Sequence, residues 1–92
     1  MVYRLLLMNR KKRIINILKK NIKDFSISIV DKSYLHKGHN NFDGSNETHL
    51  TLILEPKKNN KYNRLKIHKT INEVLKSEFL NGLHALEIQI KN

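Results

Sequence analysis

Residues 64–90, RLKIHKTINEVLKSEFLNGLHALEIQI, read as one helix, a tight Asn-Gly turn and one strand. Ile67, Ile71, Val74, Leu75 and Phe79 recur at the spacing of a helix stripe lying on a core. Asn63 is the predicted N-cap, since its side chain can accept a bond from an orphan N–H of the first turn. The helix is predicted over residues 64–80, with Gly82 taking the left-handed conformation that ends it and reverses the chain. Leu86, Ile88 and Ile90 then alternate with Glu87, Gln89 and Lys91, the period of a half-buried strand. At about 100° per residue, His68 falls beside Leu75 on the border of the apolar stripe. An imidazole there is half packed and half presented.

The rest of the chain supplies a partner for that unit. Residues 9–23 (NRKKRIINILKKNIK) form a second amphipathic helix with Ile14, Ile15, Leu18 and Ile22 on its apolar face. Its basic first turn opposes the helix dipole, so that end is expected to fray. Phe25, Ile27 and Ile29 mark a first strand; Leu50, Leu52 and Leu54 mark a second, stopped at Glu55-Pro56. The order is helix, strand, strand, helix, strand. This gives a single α+β domain, a three-stranded mixed sheet with both helices on one face. The first two strands should pair antiparallel, and the third, reached through a helix, should run parallel to a neighbour. Residues 1–8 (MVYRLLLM) read as a frayed extension preceding a domain of residues 9–92. They lack a signal peptide's basic leader and cleavage site and fall far short of a membrane span.

Composition narrows the chemistry. A chain of 92 residues holds one modest core. Having no cysteine, it has no disulfide framework, no thiol nucleophile and no cysteine-ligated metal site of its own, which fits a cytoplasmic location. The net charge of +10 suits a polyanionic partner, although a Lys-, Asn- and Ile-rich composition also follows from an AT-biased genome. Paired carboxylates, a nucleophile elbow and a Gly-rich phosphate loop are absent, so an enzyme is not expected. Lys57, Lys58, Lys61, Arg64, Lys66 and Lys69 form an acid-free basic segment around the start of the second helix.

The five histidines are the informative set. His36 and His39 lie in a long Gly- and Asn-rich connection, residues 31–47, of the kind that often carries function. His49 faces away from the Leu50 stripe and is expected to make a structural hydrogen bond. His84 shares the parity of Leu86 and is expected to pack on the core side of the strand entrance. His68 stands out by its place on the helix border.

These residues carry a resemblance. Ser33, Tyr34 and His36, then Gly44, Ser45, Glu47, Thr48 and His49, the helix histidine His68, and His84, Ala85 and Leu86 follow the pattern of the BolA family in order and approximate spacing. Asn46 interrupts the Gly-Ser-Glu-Thr-His run. Ile67 and Lys69 stand where the family has arginines, and the aromatic-x-Gly signature after the second strand is missing. The resemblance implies a fold like a type II KH domain without its Gly-x-x-Gly loop. It further implies an adaptor, monomeric when isolated and bound to no membrane, that binds a monothiol glutaredoxin. The pair would share a glutathione-ligated 2Fe–2S cluster. The implied ligands are His68 and a loop histidine, His39 or His36. Neutral imidazole is a good iron ligand, and replacing thiolate with histidine raises a cluster's potential. The alternative is a DNA-binding regulator using the basic segment at residues 57–69.

Overall fold

The computed structural model describes residues 9–33, 47–58 and 61–91. The extension at 1–8, with most of the long connection including His36 and His39, lies outside the described residues. The elements are α1 (Arg10–Asn21), β1 (Phe25–Asp31), β2 (His49–Pro56), α2 (Arg64–Val74), α3 (Lys76–Leu80) and β3 (Ala85–Ile90).

The sheet has the expected mixed topology in the order β1-β2-β3. β1 pairs antiparallel with β2, with Ile27 opposite Leu54 and Ile29 opposite Leu52. β3 lies parallel to β2, with Leu50 opposite Leu86 and Leu52 opposite Ile88. Because side chains alternate along a strand, these registers put the aliphatic rows of all three strands on one face. Both helices lie on that face. Ile14 and Leu18 of α1, Leu52 and Leu54 of β2, and Ile71 and Leu75 of the α2 region are all fully buried. Together with Ile22, Phe25, Leu50 and Leu83 they form one core.

Local chemistry explains the helix ends. Asn9 and Asn63 cap α1 and α2, their side-chain oxygens accepting from the Lys12 and Lys66 amides at 2.9 and 3.0 Å. Gly82 has φ +113°, beyond the ready reach of an L side chain, and lets the chain turn from α3 into β3.

Two expectations are corrected. The helix over residues 64–80 is two helices, because Leu75, at φ −100° and ψ 10°, departs from helical dihedrals between α2 and α3, although its amide still donates to the Ile71 carbonyl at 3.0 Å. Leu75 stays fully buried across the break, and Glu78 in α3 points inward and is only 5% exposed. The first turn of α1 is also pinned where fraying was expected. The Lys11 amide donates to Glu47 Oε1 at 2.9 Å, so a carboxylate distant in sequence sits on the positive end of the dipole. Arg10 Nη1 and Nη2 reach the carbonyl oxygens of Glu47 and Asn81, both at 2.6 Å.

Candidate functional site

His68 occupies the second turn of α2, one residue after the half-buried Ile67 and three before the fully buried Ile71. Packing at those two positions fixes the helix on the core, and His68, half-buried itself, takes the border position its periodicity predicts. Among the described residues its side chain makes no hydrogen bond or ion pair. Three residues before it, Leu65 is 68% exposed, so an apolar side chain stands on the open surface beside the imidazole.

The connection bearing His36 and His39 begins and ends in a tightly bonded stem. Ser33 is fully buried, and its Oγ accepts from the main-chain amides of Thr48 and His49 at 2.9 and 3.1 Å. Asp31 holds both ends together: Oδ1 accepts from the Ser33 amide and Oδ2 from the Glu47 amide, each at 2.9 Å. Burial alone would raise the Asp31 pKa. The hydrogen bonds from Ser33 and Glu47 to its ionised form, with the charge of Lys11, outweigh that and hold it below the usual carboxylate range. The Ser33 and Glu47-Thr48-His49 motifs thus have a structural use, which is to bring the two ends of residues 34–46 side by side.

His49 and His84 differ in how well their expectations fare. His49 makes the expected hydrogen bond, its Nδ1 lying 3.0 Å from Thr48 Oγ1. His84 is exposed instead of packed in the core. The parity argument fails because β3 begins one residue later, at Ala85, and the neighbouring Leu83 takes the buried place. The His84 ring stacks on that of His49, with centroids 5.6 Å apart and planes 13° from parallel. Among the described residues no group of three histidine, aspartate or glutamate side chains is arranged to hold a metal ion.

The six predicted cations at residues 57–69 are all exposed. They do not form one patch. Lys61 and Lys66 line a cleft of about 390 Å³ between the C-terminal end of α1 and the start of α2, together with Lys23. Lys57 lines an adjoining cleft of about 520 Å³ with Lys19 and Lys23. Lys58, Arg64 and Lys69 line neither. The sequence reading missed Lys19 and Lys23, which come from a different element and reach the clefts only through the fold.

A second feature was also missed. Glu78 receives Arg10 Nε at 2.9 Å on Oε1, and Arg13 Nε at 2.8 Å on Oε2 and Nη2 at 2.9 Å on Oε1. The hydrogen bonds from Arg13, ahead of those from Arg10, hold the Glu78 carboxyl below its ordinary pKa against the opposing effect of burial. A signal for it was present: Glu78 falls four residues after Val74 and seven after Ile71, on the core-facing stripe, where an acid needs a cationic partner.

Comparison with known proteins agrees with this architecture. A family model described as BolA, BolA-like protein, matches residues 18–92. The UV-induced protein uvi31 of Schizosaccharomyces pombe is 34% identical over 84 residues, covering 88% of this chain and 82% of that protein. The chloroplastic protein BOLA1 of Arabidopsis thaliana is 34% identical over 85 residues, covering 90% of this chain and 53% of that one. The solved BolA domain of SufE1 from Arabidopsis thaliana matches with a TM-score of 0.71 at 33% identity, over 92% of this chain and 93% of that domain. With the family pattern running through the Ser33 stem, the His68 helix and the entry to β3, the chain belongs to the BolA-like family.

Proposed function

We propose that this protein is a non-enzymatic adaptor that binds a monothiol glutaredoxin and shares a glutathione-ligated 2Fe–2S cluster with it. The observation that carries the reading is His68, a half-buried imidazole held on a packed helix with no hydrogen-bond partner among the described residues. A ligand fixed before its partner arrives lowers the ordering cost of a shared site. The donor set suits a contributor and not a sole holder. The chain has no cysteine, so the thiolates come from glutaredoxin and glutathione while this protein adds imidazole. The second ligand is His39, with His36 as its substitute, in the connection whose two ends Asp31 and Ser33 clamp. When bound, the cluster supplies electron and iron–sulfur transfer chemistry, and the protein's own work is to bind the partner and tune the site. Exposed Leu65 beside His68 gives that partner an apolar foothold. Dependence on reduced glutathione fits a cytoplasmic location.

Anaerobic reconstitution with a monothiol glutaredoxin, glutathione, iron and sulfide tests this. The mixture should give a heterodimer whose visible circular dichroism differs from that of the glutaredoxin homodimer. His68→Ala should abolish the difference, His39→Ala should shorten the cluster's lifetime, and His36→Ala should do little. A wild-type spectrum in His68→Ala would remove the assignment.

A second reading, a DNA-binding protein using the segment at residues 57–69, is favoured by the cations of that segment. All six are exposed, and none forms an ion pair among the described residues. Charge reversal at Lys57, Lys58 and Lys61 should weaken any such binding and flatten its salt dependence.

A further inference from the structure

Lys23 and Phe25 lie in the walls of both basic clefts, so the two clefts adjoin as the two halves of a basic groove. Five cations line it: Lys19, Lys23, Lys57, Lys61 and Lys66. They come from α1, the turns on either side of the β1–β2 pair, and the first turn of α2. None takes part in an ion pair among the described residues, and Asp24 is the acid in the walls. The groove also has an aromatic element. Tyr62 is half-buried and meets Phe25 edge to face, with centroids 5.3 Å apart and planes at 70°.

We propose that this groove binds single-stranded nucleic acid, with the lysines following the phosphates and Tyr62 offering an aromatic surface to a base. The proposal rests on the nucleic-acid reading and relocates it, replacing Lys58, Arg64 and Lys69 with Lys19 and Lys23. A concave, cation-lined groove with an aromatic wall suits a strand whose bases are unstacked. A duplex presents convex phosphate rails and needs a protruding element to enter its grooves, and none of the described elements places an array of base-reading side chains there. Each cleft is also within the size range that holds a nucleotide-sized ligand.

The groove is separate from His68. Lys66 and Thr70 line it, and on a helix each lies about 160° around the axis from His68. The lysine side of the groove therefore lies on a different flank of α2 from the His68 ring.

Fluorescence anisotropy at low salt tests the proposal on the intact chain, with an oligothymidylate of about 12 nucleotides, a duplex of matched length and a heparin fragment of matched charge. The single strand should bind tighter than the other two. Lys23→Glu and Lys61→Glu should each weaken it roughly tenfold, whereas Lys12→Glu, an equal change of charge at the far end of α1, should leave it within about twofold. Circular dichroism should show each variant folded. Binding that falls with Lys58→Glu and Lys69→Glu but not with Lys23→Glu would overturn the groove and keep the original segment. Equal affinity for heparin, or a preference for the duplex, would overturn the single-strand assignment. No binding to any of the three would overturn the nucleic-acid reading itself.

Discussion

At the N-terminal end of α1, Arg10 and Arg13 converge on Glu78, with side-chain exposures of 13%, 26% and 7%. At its other end, Lys19 and Lys23 stand with Lys57, Lys61 and Lys66 in open clefts. Both regions are strongly basic, yet one spends its charge inside the protein and the other presents it. The side chains suit the division. The guanidinium fork can satisfy both carboxylate oxygens and nearby carbonyls together, whereas a lysine is a mobile, well-hydrated point charge. A net charge of +10 is therefore a poor guide to the surface by itself, because part of it is structural.

Removing Glu78 breaks this contrast most severely. Glu78→Ala leaves two partly buried guanidinium groups facing each other and releases α3 from α1. The expected loss is about 3–5 kcal/mol in urea unfolding, the range found when one partner of a buried ion pair is deleted. A loss below about 1 kcal/mol would reduce the knot to an ordinary surface pair and remove the distinction between the two ends.

Acid should act on the same end. Glu78 and Asp31 both have folded-state pKa values below their ordinary ones. In the window between the folded and unfolded values the unfolded chain binds more protons, so stability there rises with pH. Their contribution is complete above the ordinary carboxylate range near pH ~4 and disappears as the pH falls through the depressed values. A pH series of thermal unfolding should show that loss, and Glu78→Gln should flatten part of the slope while lowering stability at neutral pH. An unchanged acid slope in Glu78→Gln would assign the dependence to Asp31 and the other carboxylates.

Most of the fold could be read from the sequence because it rests on short-range patterns. The Ile67–Ile71–Leu75 stripe, the Leu50–Leu52–Leu54 alternation, the Asn63 cap and Gly82 each express a local preference that packing then reinforces. The features that escaped join residues far apart in the chain. Arg13 and Glu78 are 65 positions apart, and Glu47 caps a helix that begins 37 residues before it. Nothing in the first turn of α1 records that a distant carboxylate will sit on it. The site divides in the same way. His68 was legible because its own helix places it, while the basic groove was half legible because Lys19 and Lys23 reach it through tertiary structure.

Gly82 joins the two kinds of information. A Cβ at this residue would lie 3.3 Å from Arg10 Nη2, on a backbone whose φ of +113° already excludes most side chains. Gly82→Ala should cost about 1–3 kcal/mol through backbone strain. If it also displaces Arg10, its effect should be less than additive with Glu78→Gln in a double-mutant cycle. Strict additivity would confine the strain to the turn and leave the knot intact.

The smallest expected effect tests the comparison from the opposite end. Lys57 and Lys61 make no ion pair among the described residues, so no carboxylate ties them to the fold as Glu78 ties Arg10 and Arg13. They sit among like charges, and removing one should relieve repulsion. Lys61→Gln should leave stability unchanged or raise it by a few tenths of a kcal/mol at low salt, ~0.2–0.5 by analogy with other like-charge pairs. That gain should vanish in molar salt, where screening acts within ~3 Å. The same substitution should weaken binding of the oligothymidylate. Charge that slightly opposes folding and favours a ligand marks a surface whose use lies outside the fold, the converse of Arg10 and Arg13. If Lys61→Gln instead destabilises the protein by more than about 1 kcal/mol, Lys61 is a structural cation, and both ends of α1 spend their charge in the same way.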